Sequence, residues 1–170
     1  MPVPDRLVAA VADAGPLIHL DELDALPLLA GFTEVLVPAV VSTEVSRHRS
    51  GWTDRAPSCL READPNPQSL RALNEEAISA DLDLGELSAL ALWREHPDFV
   101  LLCDDLAARR TAERLGCEVA GTLGVVLWAA RTGRLGAEEA RTLIRAIPTQ
   151  TTLHVRADLI EQVALGLDDA

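Results

Sequence analysis

The sequence contains no lysine: all fifteen basic side chains are arginine. That absence excludes the phosphate-binding P-loop, which needs its lysine, and argues against receiver-type and haloacid-dehalogenase-type phosphotransfer sites, which normally carry one. Positive charge is scarce in total as well. Against 27 acidic residues the net charge is −12, so the chain does not hold nucleic acid through a broad basic surface, where affinity comes from neutralising many phosphates. Any nucleic-acid contact has to be local or mediated by a cation. Cysteine is rare: Cys59, Cys103 and Cys117 form no C-x-x-C pair and leave an odd thiol if two are joined, which predicts reduced, buried thiols in a cytoplasmic protein. No uncharged run is longer than residues 119–130, whereas about 18 are needed to span a bilayer. The opening M-P-V-P-D-R lacks the basic-then-apolar pattern of a signal peptide. The four histidines, His19, His48, His96 and His154, show no metal-binding spacing, and no G-x-S-x-G elbow surrounds a serine, so imidazole-held metal and covalent nucleophilic catalysis have little support. Trp52, Trp93 and Trp128 have no basic residues interleaved with them and read as core rather than as base-stacking platforms.

What is present is a chain of 170 residues, 48% hydrophobic, enough for one core and one domain over residues 1–170. Segments that read as strands occur at 7–12, 34–37, 99–103 and 118–120, with a further short strand around 59–62. Between them lie helical patterns at 17–29 (two short helices broken near Asp24 and Pro27), 39–48, 69–80, 85–96, 106–115 and 122–131. Two terminal helices, 137–146 and 155–165, are joined by a polar T-Q-T-T turn. Strands alternating with helices predict an α/β fold: a parallel sheet of about five strands with helices on both faces.

In such sheets ligands lie beyond the carboxyl ends of the strands, where strand order reverses. Asp13 ends the first strand, and Asp104 and Asp105 end the run at 99–103. Carboxylates gathered at one sheet edge repel each other, and a hard divalent cation is the simplest relief. Each acid also has a plainer reading. Asp13 could satisfy backbone N–H groups in the A-G-P turn. Asp104 or Asp105 could cap the next helix, and Glu86, three residues after Asp83, could close a capping box. Glu44 could pair with Arg47 or His48, although Val40, Val41 and Val45 share its side of the helix and turn it toward the core. The grouping carries more weight than any single acid.

Five blocks carry a resemblance. They are D-A-G-P-L-I at 13–18, V-P-A-V-V-S-T-E at 37–44, D-L-G-E-L-S-A-L-A-L at 83–92, L-L-C-D-D-L-A-A-R-R-T-A-E-R-L-G at 101–116 and G-T-L-G-V at 121–125. In order and spacing the chain resembles the PIN domains, and among them the VapC-like branch. The resemblance implies a three-layer fold and a Mg²⁺- or Mn²⁺-dependent ribonuclease. Asp13, Glu44, Glu86 and Asp104 would be its catalytic and metal-binding acids, with Asp105 as a further ligand. It implies Thr122 as an outer-shell or helix-capping residue. Arg109 and Arg110, in the helix after Asp104, are candidates to hold the RNA backbone. A role as the toxin of a toxin–antitoxin pair, an antitoxin protein partner and a homodimer are further expectations. Two departures stand out: Gly15 replaces the usual Ser, and Glu86 replaces an Asp. The rival readings are a non-catalytic PIN-like protein-binding module and, behind it, a metal-dependent phosphatase acting on a small molecule.

Overall fold

A computed structural model describes residues 8–76 and 82–168. The chain begins with β1 (Ala9–Ala12) and α1 (Ala14–Glu22), then a short 3-10 helix (Leu26–Gly31). β2 (Glu34–Val37), α2 (Ala39–His48), β3 (Leu60–Glu62) and α3 (Pro67–Glu75) follow. The second half runs through α4 (Leu84–Glu95), β4 (Val100–Leu102), α5 (Leu106–Arg114), β5 (Val119–Ala120), α6 (Thr122–Arg131), α7 (Ala137–Gln150) and α8 (Ala157–Leu165). Residue 7 of the expected first strand and residues 77–80 of the helix expected at 69–80 lie outside the described residues. Among the described residues no helix is long and apolar enough to cross a membrane.

All five strands are parallel and ordered β3-β2-β1-β4-β5. The strands are short, and β1, β2, β4 and β5 are largely apolar because both faces of the sheet are covered; the edge strand β3, L-R-E, exposes Arg61 and Glu62. Successive side chains point to opposite faces, and the core divides accordingly. Ala10, Ala12, Val35, Val37, Val100 and Leu102 pack on one face, with Trp128, Ile144 and Ile160 from the helices. Val11, Leu36, Leu101 and Val119 pack on the other, with Leu90, Trp93 and Ala112. This is the expected three-layer arrangement. It also takes up most of the apolar runs of α4 and α6: Leu90, Leu92, Trp93, Val125, Val126 and Trp128 are buried, while Leu87, Leu123 and Leu127 are half-buried.

The terminal helices differ from expectation. α7 continues past residue 146 through Pro148 to Gln150, so half of the predicted polar turn is helical. A proline inside a helix costs roughly 3 kcal/mol, but Ile144 and Ile147 are both fully buried on this last turn. Thr151 then closes it, its N–H and its hydroxyl both donating to the Ile147 carbonyl.

An ion cluster pins α1 to the loop after α2. Asp21, 2% exposed, accepts from Arg49 Nε at 2.5 Å and from Arg55 Nε and Nη2 at 2.7 and 2.8 Å. The two guanidinium groups hold its carboxyl below the ordinary range, Arg55 first. A depressed value means stabilisation present above the unfolded pKa and lost as pH falls through the folded one. Asp21→Asn is expected to destabilise by about 1.5–3 kcal/mol at neutral pH. Thermal melts should show that difference shrinking as both proteins are taken to strongly acid pH.

Candidate active site

Strand order reverses at β1, which has β2 on one side and β4 on the other. The chain leaves both β1 and β4 at the same sheet edge, and the Asp13 N–H donates to the Leu102 carbonyl at 2.9 Å, tying the two strand ends together. The crevice expected at such a switch point is a cleft of about 360 Å³. Asp13, Glu44, Glu86, Asp104 and Asp105 all line it. Asp83 and His19 line it too, and neither stood among the sequence candidates.

Asp13 takes the N-cap position of α1, yet its side chain makes no capping hydrogen bond. The carboxyl is only 7% exposed and receives the Cys103 thiol at 3.8 Å. Burial pushes its pKa up to about 7, and the charges of Asp83, Glu44 and Asp104 push the same way against the nearby Ala14 N–H. Glu86 is also raised to about 7, first by burial and then by Asp83, Asp105 and Asp13. Its capping box is real: Asp83 Oδ1 accepts from the Glu86 N–H, and Glu86 Oε2 accepts from the Asp83 N–H, each at 2.9 Å. The box holds Glu86 in the cleft with one oxygen committed.

Asp104 is fixed most firmly. Oδ1 accepts the Thr122 N–H at 2.8 Å, and Oδ2 accepts the Thr122 hydroxyl at 2.6 Å. The fully buried Thr122 opens α6, so a helix N-terminus faces this carboxylate, a favourable setting for negative charge. A third partner is His19, whose Nδ1 lies 2.8 Å from Asp104 Oδ2. His19 projects from α1, four residues after Gly15 and so on the same helix face. That spacing was visible in the sequence, but Asp104 is distant in the chain. A Cβ on Gly15 would lie 3.4 Å from Asp104 Cβ and 3.8 Å from His19 Cε1, ordinary contacts, so the missing serine leaves room beside Asp104 rather than strain.

Gly121 leaves no room for a side chain unless a neighbour shifts. A Cβ there would stand 2.4 Å from Asp104 Oδ1 and 2.9 Å from Arg109 Nη1. Asp105 caps α5, its Oδ1 accepting from the N–H groups of Ala107 and Ala108 at 2.7 and 2.9 Å. Glu44 sits half-buried on α2 with Oε2 3.3 Å from the point a Gly85 Cβ would occupy, beside Asp83 Oδ1 at 3.2 Å from the same point. No ion pair joins Glu44 to Arg47 or His48 among the described residues; His48 Nδ1 instead lies 3.0 Å from the Glu44 carbonyl. Arg109 and Arg110 lie outside the acidic cleft, in an adjoining one.

The donor chemistry fits a hard divalent cation: carboxylate oxygens, two of them on groups held near neutrality by burial and mutual repulsion. Among the described residues, however, no three His, Cys, Asp or Glu side chains converge as a ready-made metal cluster.

Among curated proteins no sequence matches the chain. A sequence model of the PIN domain matches residues 9–167, from the first residue of β1 to beyond the end of α8. With the parallel five-stranded sheet and its acid-lined edge, this match over nearly the whole length establishes that the chain belongs to the PIN-domain family.

Proposed function

We infer that this protein is a divalent-metal-dependent ribonuclease of the PIN type, hydrolysing RNA phosphodiester bonds at the acidic cleft. The observation that carries the reading is the meeting of Asp13, Glu44, Glu86 and Asp104, from four separate elements, in one crevice at the strand-order reversal. Nothing in the fold requires four acids there, and two of them sit uneasily, raised to about 7.

Asp13 and Glu44 are the carboxylates least committed to protein donors and would supply the metal's first oxygens, with the remaining oxygen of Glu86 beside them. A bound Mg²⁺ or Mn²⁺ would polarise the scissile phosphate and acidify a bound water. Asp104, held by Thr122 and His19, gives the cleft its fixed wall. The apolar sheet edge behind Asp13 keeps bulk water from that side.

The test is titration of Mg²⁺ and Mn²⁺ with a mixed structured RNA, alongside thermal melts. Cleavage that requires the ion supports the reading. Melting temperature should also rise on adding the ion, by the equivalent of about 2.7 kcal/mol at a hundredfold excess over the dissociation constant. That rise should be larger at pH 8 than at pH 5, because protons compete for Asp13 and Glu86 at the lower pH. Phosphate release from small esters without RNA cleavage would instead identify a phosphatase. The dispersed arrangement of the acids favours a second reading, a non-catalytic PIN module that binds a protein such as an antitoxin. Absence of both ion-dependent stabilisation and cleavage would select it.

A further inference from the structure

A second cleft, of about 740 Å³, opens beside the acidic one. Asp104, Leu106, Leu153 and His154 belong to both, so the two are continuous. Its floor is apolar, formed by Leu123 and Leu127 on α6 with Leu106 and Leu159 at the edges. Leu106 and Leu159 are 59% and 42% exposed, so the core gains little from either. The rim carries Arg109 and Arg110 from α5 and Arg156 from the turn before α8.

Three of the chain's fifteen basic residues thus meet at one opening of a molecule whose net charge is −12. Arg156 is paired with Asp158. Neither Arg109 nor Arg110 has a carboxylate partner among the described residues, although Glu113 lines the same cleft. The other walls of the acidic cleft, Glu44, Asp83 and Glu86, repel a phosphate chain. A strand with its reacting phosphate over the acids is drawn away from those walls and past Asp104 into the arginine-rimmed cleft.

We propose that this second cleft binds the nucleotide adjoining the scissile phosphate of a single-stranded polynucleotide. The base lies on the leucine floor and the next phosphates lie against Arg109 and Arg110. The proposal rests on the nuclease reading and deepens it. A single strand is required because a base must leave its stack to reach the leucines. The three tryptophans are buried, so a base here meets the leucine floor, with the His154 ring and the arginine planes at its margins. An acidic protein segment would satisfy the arginines but would have no reason to run on into a cleft of carboxylates.

The experiment uses the full chain carrying Asp13→Asn, in EDTA, with a fluorescent single-stranded oligoribonucleotide followed by anisotropy at several salt concentrations. Two double variants are added to that background, R109A/R110A and L106S/L159S, with melting curves to confirm that each folds. The arginine pair is expected to weaken binding at least tenfold. It should also reduce the slope of log affinity against log salt by about 1.4, at roughly 0.7 per phosphate contact on a single strand. The leucine pair should weaken binding with the slope unchanged, and a duplex of the same sequence should bind less well than the single strand. Unchanged affinity in both variants overturns the proposal. So does displacement of the oligonucleotide by an acidic peptide that binds the cleft more tightly. Cleavage by the native chain is measured separately. RNA bound through this cleft but never cut defeats the nuclease reading and leaves the cleft standing. RNA cut with a KM indifferent to both pairs does the reverse.

Discussion

Asp13→Asn is expected to raise the melting temperature of the metal-free protein at pH 8 while abolishing metal-dependent cleavage. The two effects have one cause. Asp13 is buried among like charges, and its carboxyl is raised from 3.8 to about 7. A folded-state pKa above the unfolded one means that the native protein binds the proton more tightly, so stability falls as pH rises through that window. Below about pH 4 the carboxyl is neutral in both states and costs nothing extra; above about pH 7 it is charged in both and the penalty is complete. The shift corresponds to roughly 4 kcal/mol, of which a buried asparagine recovers part, so a gain of about 2–3 kcal/mol is expected at pH 8 and almost none near pH 4. Melting curves of the two proteins in EDTA at both pH values measure it. A variant less stable than the native chain at pH 8 would show that Asp13 makes structural hydrogen bonds instead. Asp104→Asn should behave differently. Its Oδ1 accepts the Thr122 N–H, and its Oδ2 meets the Thr122 hydroxyl and His19 Nδ1; an amide NH₂ in place of Oδ2 requires both of those groups to turn into acceptors, so this variant is expected to lose some stability along with activity.

Gly121→Ala is expected to cost about a hundredfold in cleavage rate, although the residue brings no side chain to the cleft. The backbone at Gly121 is extended and permits any residue; what forbids alanine is space, since the added methyl would fall 2.4 Å from Asp104 Oδ1. Either the carboxylate leaves the Thr122 N–H or the start of α6 shifts. A displacement of about an ångström at a reacting group is commonly worth a factor of 10², and overpacking costs about 1–3 kcal/mol. Activity assays with a melting curve separate the two contributions. Full activity in this variant would remove Asp104 from the reacting centre.

The sheet, its approximate strand limits and the helices up to α6 were legible because four of the strands are largely apolar runs bounded by turn residues or an acid; β3, L-R-E, has no such signal beyond its place among the turn residues. Periodicity carried that information. It failed at α7, where packing of Ile144 and Ile147 outweighs the local signal of Pro148. Legibility at the cleft was uneven for a related reason. Asp13, Glu86 and Asp104 stand at or near the ends of elements and Glu44 on the inner face of α2, placements that spacing and periodicity make readable. His19 does not: one histidine on a mostly apolar helix has no local signature, and its meaning comes from Asp104, 85 positions away. Asp83 was read only as the partner of Glu86 in a capping box. The sequence raised capping and site membership as rival accounts of Glu86 and Asp105, whereas both residues cap a helix and line the cleft at once.

Strand order also sets when the cleft can exist. β1 lies beside β2 early in the chain, but its other neighbour arrives about 90 residues later, when Ala10 meets Val100. Thr122, which fixes Asp104, comes later still. During synthesis the first three strands can therefore assemble on one side of β1 while the edge that will hold the acids is still half built. Pairings this far apart are slow to form because loop closure precedes their reward. A ribosome-bound chain ending before α6 should be folded in part and lack the completed acidic cleft, so whatever that cleft does waits on topology until most of the chain has emerged.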